Sequence, residues 1–399
     1  MQTKTFDSKF TQFALHANTV LLGIGFYMLL PLLNPYLYNE KMFTAVLVGY
    51  IASAREMSNN ISMVFGGPLG NILGVKATMM MGICARVIAF VILGVADSFP
   101  LFILGGALIG VGAALFIPAS TAYYDAISTD ENRVKMFSIY NILDTSGSVI
   151  GPALGSILVA ASSFRVMCLL CAALYIMALI NTLVFLPNLK NEEAAKAGIV
   201  GNIMECAKNK PFVKFLVFTS VISFIILQRD LTIPVKLSVI RPDYSVGFMY
   251  TLASFIGIVI QLPMVKFFKS RFNNYKIFAF ASVLYTAGIS LLGFAVNIPM
   301  LYVGCIVYAI GHALYTPIKS TRVAEFAGPG KVAGYFGFQG LVGVVIAFLG
   351  NMIGGYLYDF AKVQSGILAF TPWFVFIAVG AIIVLMFTAL GKKEQPKAE

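Results

Sequence analysis

Twelve apolar runs of about twenty residues or more, parted by short polar breaks, leave this chain few folds to choose from. Hydrocarbon offers the backbone no hydrogen-bond partner, so a segment crossing it must satisfy its own amides, and about 20 helical residues are needed to span about 30 Å. The runs lie near residues 11–36, 43–70, 75–95, 100–125, 134–159, 166–187, 211–235, 245–267, 276–296, 299–320, 332–358 and 370–390. The expected fold class is an all-α integral membrane protein with twelve transmembrane helices. With 59% hydrophobic and 11% charged residues, the chain also lies far from the roughly 25% charged composition of soluble domains.

The formal net charge is +11, which in a soluble protein would suggest nucleic acid. Its distribution says otherwise. Counting residues within four positions of a run's end with the adjoining loop, the two termini and the loops that follow even-numbered runs carry 20 Lys or Arg, the opposite loops carry 5, and Arg55, Arg86 and Arg229 lie deeper inside runs. Basic residues collect on the cytoplasmic side, so a multi-pass protein of the inner (plasma) membrane with both termini cytoplasmic is expected. Anionic lipid headgroups are then the expected contact, and no nucleic-acid partner is expected. The first run is too long for a cleaved signal peptide and is expected to be retained.

Cysteines number five, an odd count, and Cys84, Cys168, Cys171 and Cys305 fall within runs. The spacing of Cys168 and Cys171 matches a redox pair, but inside an apolar helix it reads as two small hydrophobes. An embedded enzyme would need a nucleophile with its base, or a metal cluster. Only His16 and His312 are present, with no HExxH, GxSxG, phosphate loop or cysteine cluster, so no enzyme, cofactor or metal is expected.

The chain repeats at an offset of 199 residues: Gly112 to Ser120 (GAALFIPAS) matches Gly311 to Lys319 (GHALYTPIK), and Pro35 falls on Pro234. After a one-residue gap, Arg133-Val134 matches Lys331-Val332. Two six-helix parallel pseudo-repeats follow, residues 1–187 and 211–399. Between them the polar interval 188–210 reads as a cytoplasmic linker, in which Ile199, Ile203 and Ala207 recur at helical spacing.

Charges inside apolar helices mark pathways or partners, since each costs roughly 2.5–3.5 kcal/mol near the bilayer centre. The second run carries Arg55 and Glu56, with Asn59 and Asn60 a turn later. Arg86 and Asp144 lie at similar depth in the third and fifth runs. Either these groups close ion pairs that staple the half together, or a carboxylate exchanges a proton between surroundings. The later runs offer Gln228, Arg229, Asp230 and His312. Glu56, Asp144, Asp230 and His312 are the proton-coupling candidates, and the three arginines their charge partners. By depth, Tyr27, Asn34, Asn59, Asn60, Tyr140, Gln228, Gln261, Phe336 and Gln339 are candidates to line a solute cavity.

In the fifth run, Gly147, Gly151 and Gly155 share a helical face on which another backbone can approach closely, and Pro152 leaves the Ser148 carbonyl without its donor. This Gly147-x3-Gly151-Pro152-x2-Gly155 stretch resembles the fifth-helix antiporter motif of major facilitator superfamily exporters, with Ser138 and Ser156 in place of two of its glycines. Gly67-Pro-Leu-Gly70-Asn71-Ile-Leu-Gly74 resembles the same superfamily's gating loop, although Asn71 and Ile72 replace its acidic and first basic positions. Asp230, four residues before Pro234, resembles the seventh helix of multidrug/proton antiporters. The resemblance implies the major facilitator fold and proton-coupled export of small amphipathic or lipophilic molecules by alternating access, by a monomer whose partners are its solute, protons and membrane lipids. A lipid or lysolipid flippase and an organic-anion importer are the alternatives, and the fifth-helix motif counts against the second.

Overall fold

The computed structural model describes residues 8–128, 132–187, 199–241, 244–327 and 332–393. Helices account for nearly all of it: α1 (Ser8–Pro35), α2 (Ala45–Leu73), α3 (Val75–Val95), α4 (Phe99–Ala126), α5 (Arg133–Ala161), α6 (Phe164–Phe185), α7 (Ile199–Lys208), α8 (Lys210–Ile240), α9 (Gly247–Lys269), α10 (Asn274–Gly293), α11 (Ile298–Ala327), α12 (Val332–Lys362) and α13 (Thr371–Lys393). Among the described residues, eleven of the long helices are long and apolar enough to cross a bilayer. The remaining long helix, α2, has the length but carries Arg55, Glu56, Asn59 and Asn60 at its middle. The expected twelve spans are these twelve long helices. The expected linker helix is α7, ten residues long, while residues 188–198 lie outside the described set.

Contacts divide the chain into two compact units: Met1–Leu32 with Ala54–Met204, and Leu33–Ser53 with Glu205–Glu399. In the first, α3 packs on α4 and α6; in the second, α10 packs on α11 and α13. The duplication reaches individual contacts. A Cβ on Gly105 would fall 2.7 Å from Leu93, and one on Gly304 would fall 2.9 Å from Leu292; both residues of the second pair lie 199 positions beyond the first. Small residues recur at these seams because the helices have no hydrophobic drive to associate in lipid, and close packing must supply the attraction instead. Cys168 and Cys171 are buried and free, as two small hydrophobes would be.

The second unit also holds the beginning of α2. Asp359 on α12 accepts hydrogen bonds from Ala45 N at 2.8 Å and Val46 N at 2.9 Å, which satisfies two of the amides a helix start leaves open and puts an anion on its positive end. Ser53 Oγ donates to Ala347 O, and Gly49 admits the Asn351 carbonyl.

Candidate solute and proton site

The four charges expected at one level of the N-terminal half all belong to the first unit, but their partners are not the expected ones. Arg55 Nη2 lies 2.6 Å from Glu56 Oε1, so these neighbours pair with each other. Arg86 is 5% exposed and has no carboxylate within 4 Å among the described residues. It donates from Nη1 to Tyr175 Oη at 2.8 Å and from Nε to Ile109 O at 3.4 Å, and its guanidinium lies 4.6 Å from the centre of the Phe26 ring. Tyr175 Oη in turn donates to Leu22 O at 2.9 Å. Gly112 makes the room, since a Cβ there would stand 2.5 Å from Arg86 Cγ. Three helices thus satisfy the cation with an aromatic face, a hydroxyl and a carbonyl.

Asp144 forms no ion pair among the described residues. It is half-buried on α5, with no hydrogen bond or salt bridge among the described residues, and feels Arg86 only through space. Tyr27 and Tyr140 are close enough to interact with it electrostatically. Asn59 and Asn60 are part-exposed one turn beyond Glu56, where Ser58 Oγ bonds Ala107 O at 2.8 Å and Gly110 lets the α2 backbone meet α4.

In the second unit, Asp230 is held tightly. Arg229 Nε lies 3.0 Å from its Oδ1, and Tyr250 Oη donates to that same oxygen at 2.7 Å. The Arg229 guanidinium sits between the rings of Tyr250 and Tyr308, 4.6 and 4.9 Å from their centres. Asn34 donates to the Asp230 carbonyl at 3.1 Å. His312 is exposed, with Nε2 3.4 Å from Thr316 Oγ1 and its ring 6.5 Å from Tyr285. Gln228 is wholly buried: its Nε2 donates to Phe224 O and Gly350 O, both at 3.0 Å, so it serves the seam between α8 and α12. Gln261 and Phe336 are part-exposed, and Gln339 Oε1 is buried without a hydrogen bond among the described residues.

The tyrosines and phenylalanine that clasp the two inner arginines were missed from sequence. The repeat carried a signal for one of them: Tyr308, whose ring lies against Arg229, stands 199 residues after Ile109, whose carbonyl accepts from Arg86.

The glycine motif on α5 makes the close contact expected of it. Cβ atoms on Gly147, Gly151 and Gly155 would fall 2.8 Å from Gly23 C, 2.8 Å from Tyr27 Cβ and 2.6 Å from Met28 O, all on α1. Pro152 lies within the helix. The stretch resembling a gating loop is mostly helix: Gly67 and Gly70 belong to α2, a Cβ on Gly70 would meet nothing within 4 Å, and Gly74, at φ 94°, alone separates α2 from α3.

The family model described as Major Facilitator Superfamily matches residues 15–232 and again 212–399. Multidrug resistance protein MdtH of Aeromonas salmonicida is 26% identical over 370 residues, 92% of this chain and 92% of that one. An uncharacterized MFS-type transporter of Mycobacterium tuberculosis is 26% identical over 354 residues, 86% of this chain and 84% of that one. Among solved structures, a mutant of the nucleoside transporter NupG superposes with a TM-score of 0.82 at 16% identity, over 95% of this chain and 99% of that one. The human organic anion transporter MFSD10 superposes with a TM-score of 0.67, also at 16% identity, over 96% of this chain and 99% of that one. At these identities the structural likeness speaks for the fold alone.

Proposed function

The chain belongs to the Major Facilitator Superfamily, a family of multi-pass membrane transporters, and on that premise we propose that it exports small amphipathic or lipophilic molecules in exchange for protons. The observation that carries the proposal is Asp144: a half-buried carboxylate in the middle of a membrane helix, without an ion pair among the described residues, beside a glycine seam. A carboxylate tied to an arginine would hold its charge through a cycle; one that is not can neutralise when its surroundings dry. Relatives named multidrug resistance proteins support the export of lipophilic solutes. Export would proceed by alternating access between six-helix halves 1–187 and 211–399, joined by 188–210, with both termini in the cytoplasm of a cell whose inner membrane the chain spans as a monomer.

The organic-anion alternative needs free guanidinium groups. Arg55 and Arg229 each bind a neighbouring carboxylate, and Arg86 is spent on Phe26, Tyr175 and Ile109, which favours the exporter. Inside-out vesicles holding the full chain, given ethidium and a panel of other lipophilic dyes, test the reading. Accumulation driven by an imposed proton gradient and collapsed by a protonophore is expected. Accumulation of every solute tried at the same rate with and without the gradient would contradict it.

A further inference from the structure

Three polar side chains apart from that site meet nearer the N-terminal end of α1. His16 Nδ1 lies 2.9 Å from Tyr124 Oη on α4, and the same hydroxyl lies 2.9 Å from Thr19 Oγ1. Thr19 donates its own proton to Leu15 O at 3.1 Å, so toward Tyr124 its oxygen can only accept. The Tyr124 hydroxyl therefore has one proton and two acceptors. It donates to His16 while Nδ1 is bare; when Nδ1 carries a proton, the hydroxyl accepts that bond and turns its own proton to Thr19. A simple tie between α1 and α4 needs only one of these arrangements.

From Tyr124 the polar line continues along α5. The rings of Tyr124 and Tyr140 are 5.0 Å apart, and Tyr140 precedes Asp144 by four residues, one turn along the same helical face. Tyr140 interacts electrostatically with both Tyr124 and Asp144. His16 is half-buried, and the adjoining seam between α1 and α6 is occupied by the uncharged Asn18, Asn181 and Thr182, which bond one another.

We propose that Tyr140, Tyr124 and His16 are the arm through which Asp144 exchanges its proton with water at the N-terminal end of α1. The proposal rests on the reading of Asp144 as the proton-carrying group. In the release direction the Asp144 carboxyl loses a proton and becomes a carboxylate. Asp144 to Tyr140 and Tyr140 to Tyr124 are not joined by a direct hydrogen bond among the described residues, so those two hand-overs each pass through a bridging water. Tyr140 and Tyr124 each receive one proton as they hand on another, and His16 takes one from Tyr124 at Nδ1 and gives one from its ring to water, which leaves as hydronium. Only bonds to hydrogen form and break.

A pH jump on the purified full chain tests this without any solute, with time-resolved infrared absorption following the Asp144 carboxyl band, assigned by its loss in Asp144→Asn. His16→Ala and Tyr124→Phe are expected to fold and to slow the band's response by about tenfold or more, given the 10²–10⁴-fold typical of a positioned proton donor or acceptor. Imidazole added to the medium should restore the rate in His16→Ala and leave Tyr124→Phe slow. A response as fast as the unaltered protein's in both variants would overturn the route while leaving Asp144 its role. Slowing that imidazole cannot relieve in His16→Ala would reduce the contact to a structural tie and overturn it too. If Asp144→Asn removes no titrating band, the proton-carrying role itself fails, and the route with it.

Discussion

Arg86 and Asp144 lie at one depth of one unit, and a sequence invites their pairing. The structure satisfies the arginine with Tyr175, Ile109 and Phe26 and leaves the aspartate without a hydrogen bond or ion pair among the described residues. The two should therefore answer mutation differently. Tyr175→Phe removes both the acceptor for Arg86 and the donor to Leu22 O, inside a buried site, and should cost about 1–3 kcal/mol, read as a lower melting temperature in detergent. Asp144→Asn strands no cation and should melt with the unaltered protein. Equal destabilisation by both would mean that Asp144 is structural after all. The charges were legible in the sequence because a charge in an apolar run is rare. Their aromatic partners were not, since the chain has 18 tyrosines and 34 phenylalanines and depth alone does not tell a ring facing a guanidinium from one facing lipid.

At the scale of elements, the seam between α5 and α1 has a counterpart between α12 and α8. Gly350 and Gly354 stand 199 residues after Gly151 and Gly155, and Leu227 stands 199 after Met28. At the first of these positions the two seams differ in tightness. A Cβ on Gly151 would strike Tyr27 Cβ at 2.8 Å and Met28 N at 3.0 Å, whereas one on Gly350 would meet only the tip of Leu227, at 3.0 Å, before ordinary contacts. Backbone cannot yield as a leucine methyl can, so Gly151→Ala should insert normally yet lose most transport, and Gly350→Ala should keep it. Transport assays on variants matched for expression decide this, and normal transport by Gly151→Ala would remove the seam from the mechanism. Asp359→Ala, which uncaps α2, should cost about 0.5–2 kcal/mol, again read as melting. The α5 seam was legible as spaced glycines beside a proline. Its α12 counterpart was written at the same offset but lacks the proline that drew notice, and the cap at Asp359 joins residues 314 positions apart, beyond any local pattern.

At the scale of the whole molecule, lipid accounts for most of what the sequence revealed: a backbone that must bond itself makes length and apolarity sufficient to place eleven of the twelve long helices. The division into compact units was less legible. Residues 33–53 join the second unit through Asp359, Ala347 and Asn351, contacts that no run of hydropathy records. The basic residues, 20 against 5, predict that reporter fusions at the 188–210 linker and at the C-terminus both give cytoplasmic signals. A signal from the opposite side at either place would overturn the orientation. The central claim is that solute and proton compete through Asp144, and proton release on binding measures it directly. In weakly buffered detergent solution, adding a solute accepted in the vesicle assay should acidify the medium around the unaltered protein and leave it unchanged around Asp144→Asn, which still binds. Equal release from both proteins, or none from either despite binding, would contradict the account.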